Sequence, residues 1–159
     1  ERIKTRSIPA QSWYLDLGLI GDYVGAARKY HHTAPTSMIA ALHAGLGVLL
    51  DEGLEASWAR HRSVGSQLQS SLVERGFKLI AQDGYRLPQL TAAWLPEGSD
   101  EATLRRALLD GWSSEVGGGL GAFAGKAWRV GLMGHSARPE SVERLINAVD
   151  ALGLNGGLN

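Results

Sequence analysis

Glu115-Val116-Gly117-Gly118-Gly119-Leu120-Gly121-Ala122-Phe123-Ala124-Gly125-Lys126-Ala127-Trp128-Arg129-Val130-Gly131-Leu132-Met133-Gly134 runs from a glycine-dense loop into a short apolar strand that one arginine interrupts. Side chains of a strand alternate between its faces, so Trp128, Val130 and Leu132 share one side and Ala127, Arg129 and Gly131 the other. The first side reads as ordinary core. The second sets a guanidinium between two small residues, where another molecule can approach. Its planar fork of five donors suits a carboxylate or phosphate held by two hydrogen bonds. The other reading of Arg129 is an edge-strand arginine paired with an Asp or Glu of its own chain.

The glycines make neither of two familiar nucleotide loops. A P-loop needs Gly, four residues, then Gly-Lys-Ser/Thr, whereas Leu120 and Ala127 stand at the first-glycine and hydroxyl positions around Gly125-Lys126. A dinucleotide fingerprint needs GxGxxG between a strand and a helix. Gly117, Gly119 and Gly121 give GxGxG and lead into a strand.

Outward from this stretch, strands are expected over 77–81, 90–95 and 114–116 besides 127–132, with a turn at Gln82-Asp83-Gly84. Trp13, Tyr14, Leu17, Ile20 and Tyr23 recur every three or four residues and predict a helix over 12–23. Thr36 or Ser37 can cap a helix that runs to Glu52 before Gly53. That helix is apolar nearly all round, which predicts burial on every side, as a bridge between two lobes or near a subunit interface. Its glycines, Gly45 and Gly47, each cost about 1 kcal/mol against alanine, so closely approaching backbone is expected beside them. An amphipathic helix follows over 54–75, with Leu54, Trp58, His61, Val64, Leu68 and Leu72 in one stripe. Helices are also predicted over 101–109 and from 136–139 to Leu152, ahead of a frayed tail, 154–159. The fold class is therefore α/β, specifically an α+β domain: a mostly antiparallel four-stranded sheet with helices packed on one face.

Composition narrows the function classes. Sixteen basic residues balance sixteen acidic ones, so neither a nucleic-acid surface nor an acidic tail is indicated. No cysteine is present, which removes disulfides and thiolate metal sites and fits an intracellular, cytoplasmic protein. The longest apolar run, 38–50, is too short to span a bilayer. His31 and His32 are adjacent and diverge in any regular structure, whereas helical metal pairs want i, i+4 spacing. His43, His61 and His135 complete no motif, and no metal is expected.

Tyr30-His31-His32-Thr33-Ala34-Pro35, Asp51-Glu52-Gly53-Leu54-Glu55, Tyr85-Arg86-Leu87-Pro88, Gly117-Gly118-Gly119-Leu120-Gly121 and 125–136 together, in this order, resemble the alanine/serine–glyoxylate aminotransferases. These are class V, fold-type I enzymes, and the resemblance covers their C-terminal portion. It implies that residues 1–35 are the C-terminal edge of a large cofactor-binding domain. Residues 36–159 would be the small domain with its long connecting helix. It implies pyridoxal 5'-phosphate as cofactor, amino acid and 2-oxo acid substrates, and a homodimer. Arg129 matches the arginine that binds the substrate α-carboxylate. Tyr30 and Thr33 match residues that reach across the dimer interface to the neighbouring subunit's cofactor phosphate. The lysine that holds the cofactor would lie upstream of Glu1, since Lys4, Lys29, Lys78 and Lys126 sit in no matching context. The chain alone is thus expected to be inactive, a segment of an enzyme moving an amino group from alanine or serine to glyoxylate. In a eukaryote its compartment could equally be peroxisomal or mitochondrial. The alternative is a stand-alone, non-catalytic binding module that keeps the small-domain fold.

Overall fold

The computed structural model describes residues 2–154, so the tail beyond Leu154 lies outside the described residues. Its helices are α1 (Leu17–Val24), α2 (Thr36–Glu52), α3 (Leu54–Glu74), α4 (Glu101–Trp112) and α5 (Pro139–Ala151). Its strands are β1 (Leu90–Trp94), β2 (Gly117–Gly118) and β3 (Ala127–Gly131), with 3-10 turns at Gly121–Phe123 and Gly134–Ser136. Two compact units divide the chain, Glu1–Val48 and Leu49–Asn159.

In the second unit β3 is the central strand, antiparallel to β1 on one side and β2 on the other. Period-two alternation holds. Trp128, Val130 and Leu132 are buried together with Ala93 of β1. Against this face lie Val64, Leu68 and Leu72 of α3, spaced by four and so on one side of their helix. Val142, Leu145 and Val149 of α5 and Leu108 of α4 complete the cluster. The stripe's first turn departs from expectation: Leu54 and Trp58 are exposed.

The sheet has three strands instead of four. Segment 77–81 reaches β1 through one bridge, Leu79 to Ala93, backed by hydrogen bonds from Ile80 N–H to Ala92 O and from Trp94 N–H to Lys78 O. It then bends into the turn where Tyr85 N–H meets Gln82 O, which stops the ladder. The strand expected at 114–116 starts instead at Gly117. Ser113 and Ser114 donate their N–H groups to Leu109 and Leu108 O, closing a helix α4 that runs three residues longer than expected. Helix α1 begins late because Asp16 accepts from the N–H of Gly18 and Leu19, which fixes it as the cap. Residues 134–136 form a separate turn, and α5 starts at Pro139.

The first unit differs most from the sequence reading. Helix α2 buries none of its residues, and Met38, Ile39, Leu42, Leu46, Val48 and Leu50 are exposed. Nothing among the described residues lies within 4 Å of a Cβ placed on Gly45 or Gly47, so the expected close backbone neighbour is not found among them. The apolar periphery of a helix predicts burial only when the covering atoms belong to the same chain. No single helix among the described residues is long and apolar enough to cross a membrane.

Two contacts hold the second unit's helices in ways that can be probed. A Cβ on Gly65 of α3 would lie 2.4 Å from Pro88 O, so the helix touches the 85–88 loop backbone directly. Gly111 of α4 faces open space. Gly65→Ala is expected to destabilise the unit by about 1–3 kcal/mol through overpacking. Gly111→Ala is expected to stabilise it by about 0.5–1 kcal/mol through helix propensity. Denaturant unfolding of both variants should give these opposite signs. Arg75 of α3 meets the two carboxylate oxygens of Asp150 of α5 through Nε at 2.6 Å and Nη2 at 2.7 Å. The hydrogen bonds from Arg75 hold the Asp150 carboxyl below its ordinary value of 3.8. A depressed folded-state value means this contribution is present above that ordinary value and is lost as pH falls through the lowered one. Asp150→Asn should therefore lower Tm at neutral pH, and thermal melts down a pH series should show the gap to the parent closing below about pH 4.

Candidate functional site

Arg129 sits mid-strand on β3, opposite Ala92 of β1 and Gly117 of β2. Both cross-strand neighbours are small, so the open side of the sheet carries the guanidinium with little beside it. The side chain is half-buried. Its Nε donates to Gly118 O at 2.8 Å, and among the described residues no carboxylate comes within ion-pair distance of it. The edge-strand ion pair therefore does not occur: the strand is central. The buried carboxylate on this flank, Glu101, is already taken by Arg105. With Nε spent on backbone, both terminal nitrogens can face one ligand.

Three consecutive glycines make this arrangement possible, each for a different steric reason. A Cβ on Gly117 would stand 3.3 Å from Arg129 Nη2, and one on Gly118 would stand 3.0 Å from Glu101 Oε1. On Gly119 it would fall 2.1 Å from Phe123 O, a distance no side chain tolerates. Gly119 also donates its N–H to Ala127 O at 2.8 Å, which ties the loop to the start of the arginine's strand. By sequence alone this segment is neither a P-loop nor a dinucleotide loop. The structure shows a loop whose carbonyl orients the arginine. The signal was the Gly-Gly-Gly run itself, legible as close approach but not as to which atoms approach. On the same side of β1 as Ala92, the Trp94 ring meets Phe123 at 5.2 Å between centroids and forms an apolar wall.

Tyr30 and Thr33 lie in the first unit and are brought together there. Their hydroxyl oxygens are 3.1 Å apart and both side chains are exposed. Between them the chain is anchored by His31, the buried residue of this loop, which stacks on Trp13 at 4.1 Å and hydrogen-bonds to Trp13 O through Nε2. A carbonyl only accepts, so that nitrogen carries the hydrogen. The adjacent histidines do not diverge: their Nδ1 atoms are 2.7 Å apart, because the backbone here is irregular. His31 Nδ1 is then the acceptor and His32 Nδ1 the donor. Among the described residues no group of three or more His, Asp or Glu side chains could hold a metal ion.

No family model matches the chain. It is 36% identical over 144 residues to the (S)-ureidoglycine–glyoxylate transaminase of Bacillus subtilis, covering 91% of this chain and 35% of that protein. It is also 36% identical over 152 residues to the alanine–glyoxylate aminotransferase of Felis catus, covering 93% of this chain and 37% of that one. Among solved structures, the alanine–glyoxylate aminotransferase of Nostoc sp. superposes with a TM-score of 0.87 at 44% identity. That match covers 94% of this chain and 40% of the other. The chain thus spans little more than a third of the length of the curated relatives it matches. Nine-tenths of its own length matches, in sequence and in fold: its relatives and structural neighbours are alanine– and ureidoglycine–glyoxylate aminotransferases, and the match is consistent with a C-terminal portion of such class V enzymes.

Proposed function

We propose that this chain supplies the substrate-carboxylate site and part of the cofactor-phosphate site of a pyridoxal-phosphate-dependent aminotransferase. The enzyme moves an amino group from alanine or serine to glyoxylate. The observation that carries the proposal is the Arg129 fork, fixed through Nε to Gly118 O and unopposed by any carboxylate among the described residues. Amino donor and glyoxylate both carry a carboxylate on the carbon that reacts, so one arginine serves both half-reactions. Held by two parallel hydrogen bonds, the carboxylate fixes the orientation of the reacting carbon as well as its position.

The cofactor's fit can be judged at the other pair. Tyr30 and Thr33 offer two exposed hydroxyls 3.1 Å apart, and each can donate to a phosphate oxygen once their mutual bond opens. That donor set suits a phosphate group, and we assign it to the phosphate of the neighbouring subunit's cofactor in a homodimer. When bound, pyridoxal phosphate supplies the electron sink that transamination needs. The lysine that carries it belongs, on this reading, to sequence upstream of Glu1.

Arg129→Lys keeps the charge but replaces the fork with a flexible point donor. In the complete enzyme this should raise KM for both the amino donor and glyoxylate and cost about 2–5 kcal/mol in kcat/KM. Cofactor content and Tm should stay close to the parent's. A drop in Tm with both KM values unchanged would return Arg129 to a structural role. Tyr30→Phe removes one hydroxyl donor to a charged phosphate, worth about 1.5–3 kcal/mol. It should weaken cofactor retention in dialysis without altering which substrates are accepted, and unchanged retention would remove Tyr30 from the phosphate site.

A further inference from the structure

Two residues beyond Arg129, on the same side of the sheet, Gly131 has no side chain of its own, and Met133 fills the space. A Cβ on Gly131 would meet Met133 Cε at 3.3 Å, so the thioether folds back over the strand. Met133 remains 57% exposed, its Cε over Gly131 on the side of the sheet that carries Arg129.

A methionine ordinarily adapts to whatever surrounds it, but the backbone of this one is gripped. Ser136 Oγ accepts from Met133 N–H and donates to Met133 O, both at 3.0 Å. The next peptide is held at both ends. His61 Nε2 accepts the Gly134 N–H at 3.0 Å, and Arg60 Nη1 donates to Gly134 O at 2.8 Å and to Ala137 O at 2.7 Å. His61 Nδ1 donates to Ser57 O at 2.7 Å, which fixes the ring as the tautomer with a bare Nε2. The rest of the Arg60 fork, Nε and Nη2, holds the Glu52 carboxylate at 2.5 and 2.8 Å. Consecutive residues of α3 therefore clamp the turn that aims Met133, and Gly134 supplies the left-handed backbone (φ +53°) that the turn requires.

We propose that Met133 is a specificity-determining residue, which limits the substituent on the carboxylate ligand of Arg129, and that His61 and Arg60 are positioning residues that hold it there. The proposal rests on the reading of Arg129 as the carboxylate site. The substrate class it selects is 2-amino and 2-oxo acids whose reacting carbon bears hydrogen, methyl or hydroxymethyl. A straight three-carbon substituent meets the thioether.

The test uses the complete enzyme with glyoxylate as acceptor and compares kcat/KM for alanine and for 2-aminopentanoate. Size discrimination in an apolar pocket is worth roughly 10-fold or more per methylene. Met133→Ala should therefore shift the ratio about tenfold toward the longer donor, while Met133→Leu retains the parent's ratio. His61→Phe removes the acceptor and should shift the ratio the same way while speeding exchange of the Gly134 amide. His61→Gln, whose amide oxygen can accept that N–H, should restore both. A poorly folded variant loses both donors alike and leaves the ratio untouched. A ratio unchanged in both Met133→Ala and His61→Phe, in variants that keep the parent's Tm, overturns this proposal if Arg129→Lys raises KM for both substrates. If Arg129→Lys leaves both KM values unchanged, the carboxylate site itself is wrong and Met133 goes with it.

Discussion

One hydrogen bond sets the terms for the rest of the site: Arg129 Nε to the carbonyl of Gly118, at 2.8 Å. A guanidinium in mid-sheet would ordinarily find a carboxylate or turn out to solvent. Here a backbone acceptor takes one nitrogen, and no carboxylate among the described residues lies within ion-pair distance of the terminal pair, which can bind a carboxylate by two parallel bonds. The 117–119 segment runs close against β3, Glu101 and the Phe123 backbone at once, and at Gly119, where a Cβ would fall 2.1 Å from Phe123 O, only glycine allows it. The helices contribute from the far side. By burying Trp128 and Val130 against α3 and α5, they keep the intervening arginine pointed away from the core.

The sequence carried the local features of this arrangement. Alternation alone separated Trp128, Val130 and Leu132 from Arg129. The end of α2 followed from Gly53, and the core stripe of α3 from Val64, Leu68 and Leu72, whereas Thr36 and Ser37, expected as caps, lie inside the helix. What it could not carry was anything set by partners distant in the chain. The strand start at Gly117 depends on Ser113 and Ser114 being used to close α4, a competition invisible in a propensity pattern. The central place of β3 depends on pairing, which no spacing specifies. His61 falls in the apolar stripe of α3 and Arg60 beside it completes no motif, yet their lone pair and hydrogens reach Gly134, more than seventy residues away. The adjacent histidines were misjudged for the opposite reason: the argument assumed regular backbone, and residues 31–32 have none.

Helix α2 shows how an apolar pattern and burial come apart. Its periodicity predicts a helix, which the structure has, while the burial expected on every side is not supplied among the described residues. Six large apolar side chains stand exposed on it, more than folded surfaces commonly leave contiguous. Stability in the described residues accordingly comes from the second unit, whose cluster contains every buried Val, Leu, Ile, Phe and Trp side chain among them. The proposed roles divide along the same lines: the sheet carries the arginine, and a loop anchored by one buried histidine carries the paired hydroxyls.

The most direct test of this account is a crystal structure of the complete enzyme with a bound substrate carboxylate. The account predicts both carboxylate oxygens within about 2.7–2.9 Å of the two terminal nitrogens of Arg129, with Nε still on Gly118 O. A carboxylate bound elsewhere, with Arg129 turned into an ion pair with a residue of the protein, would contradict it.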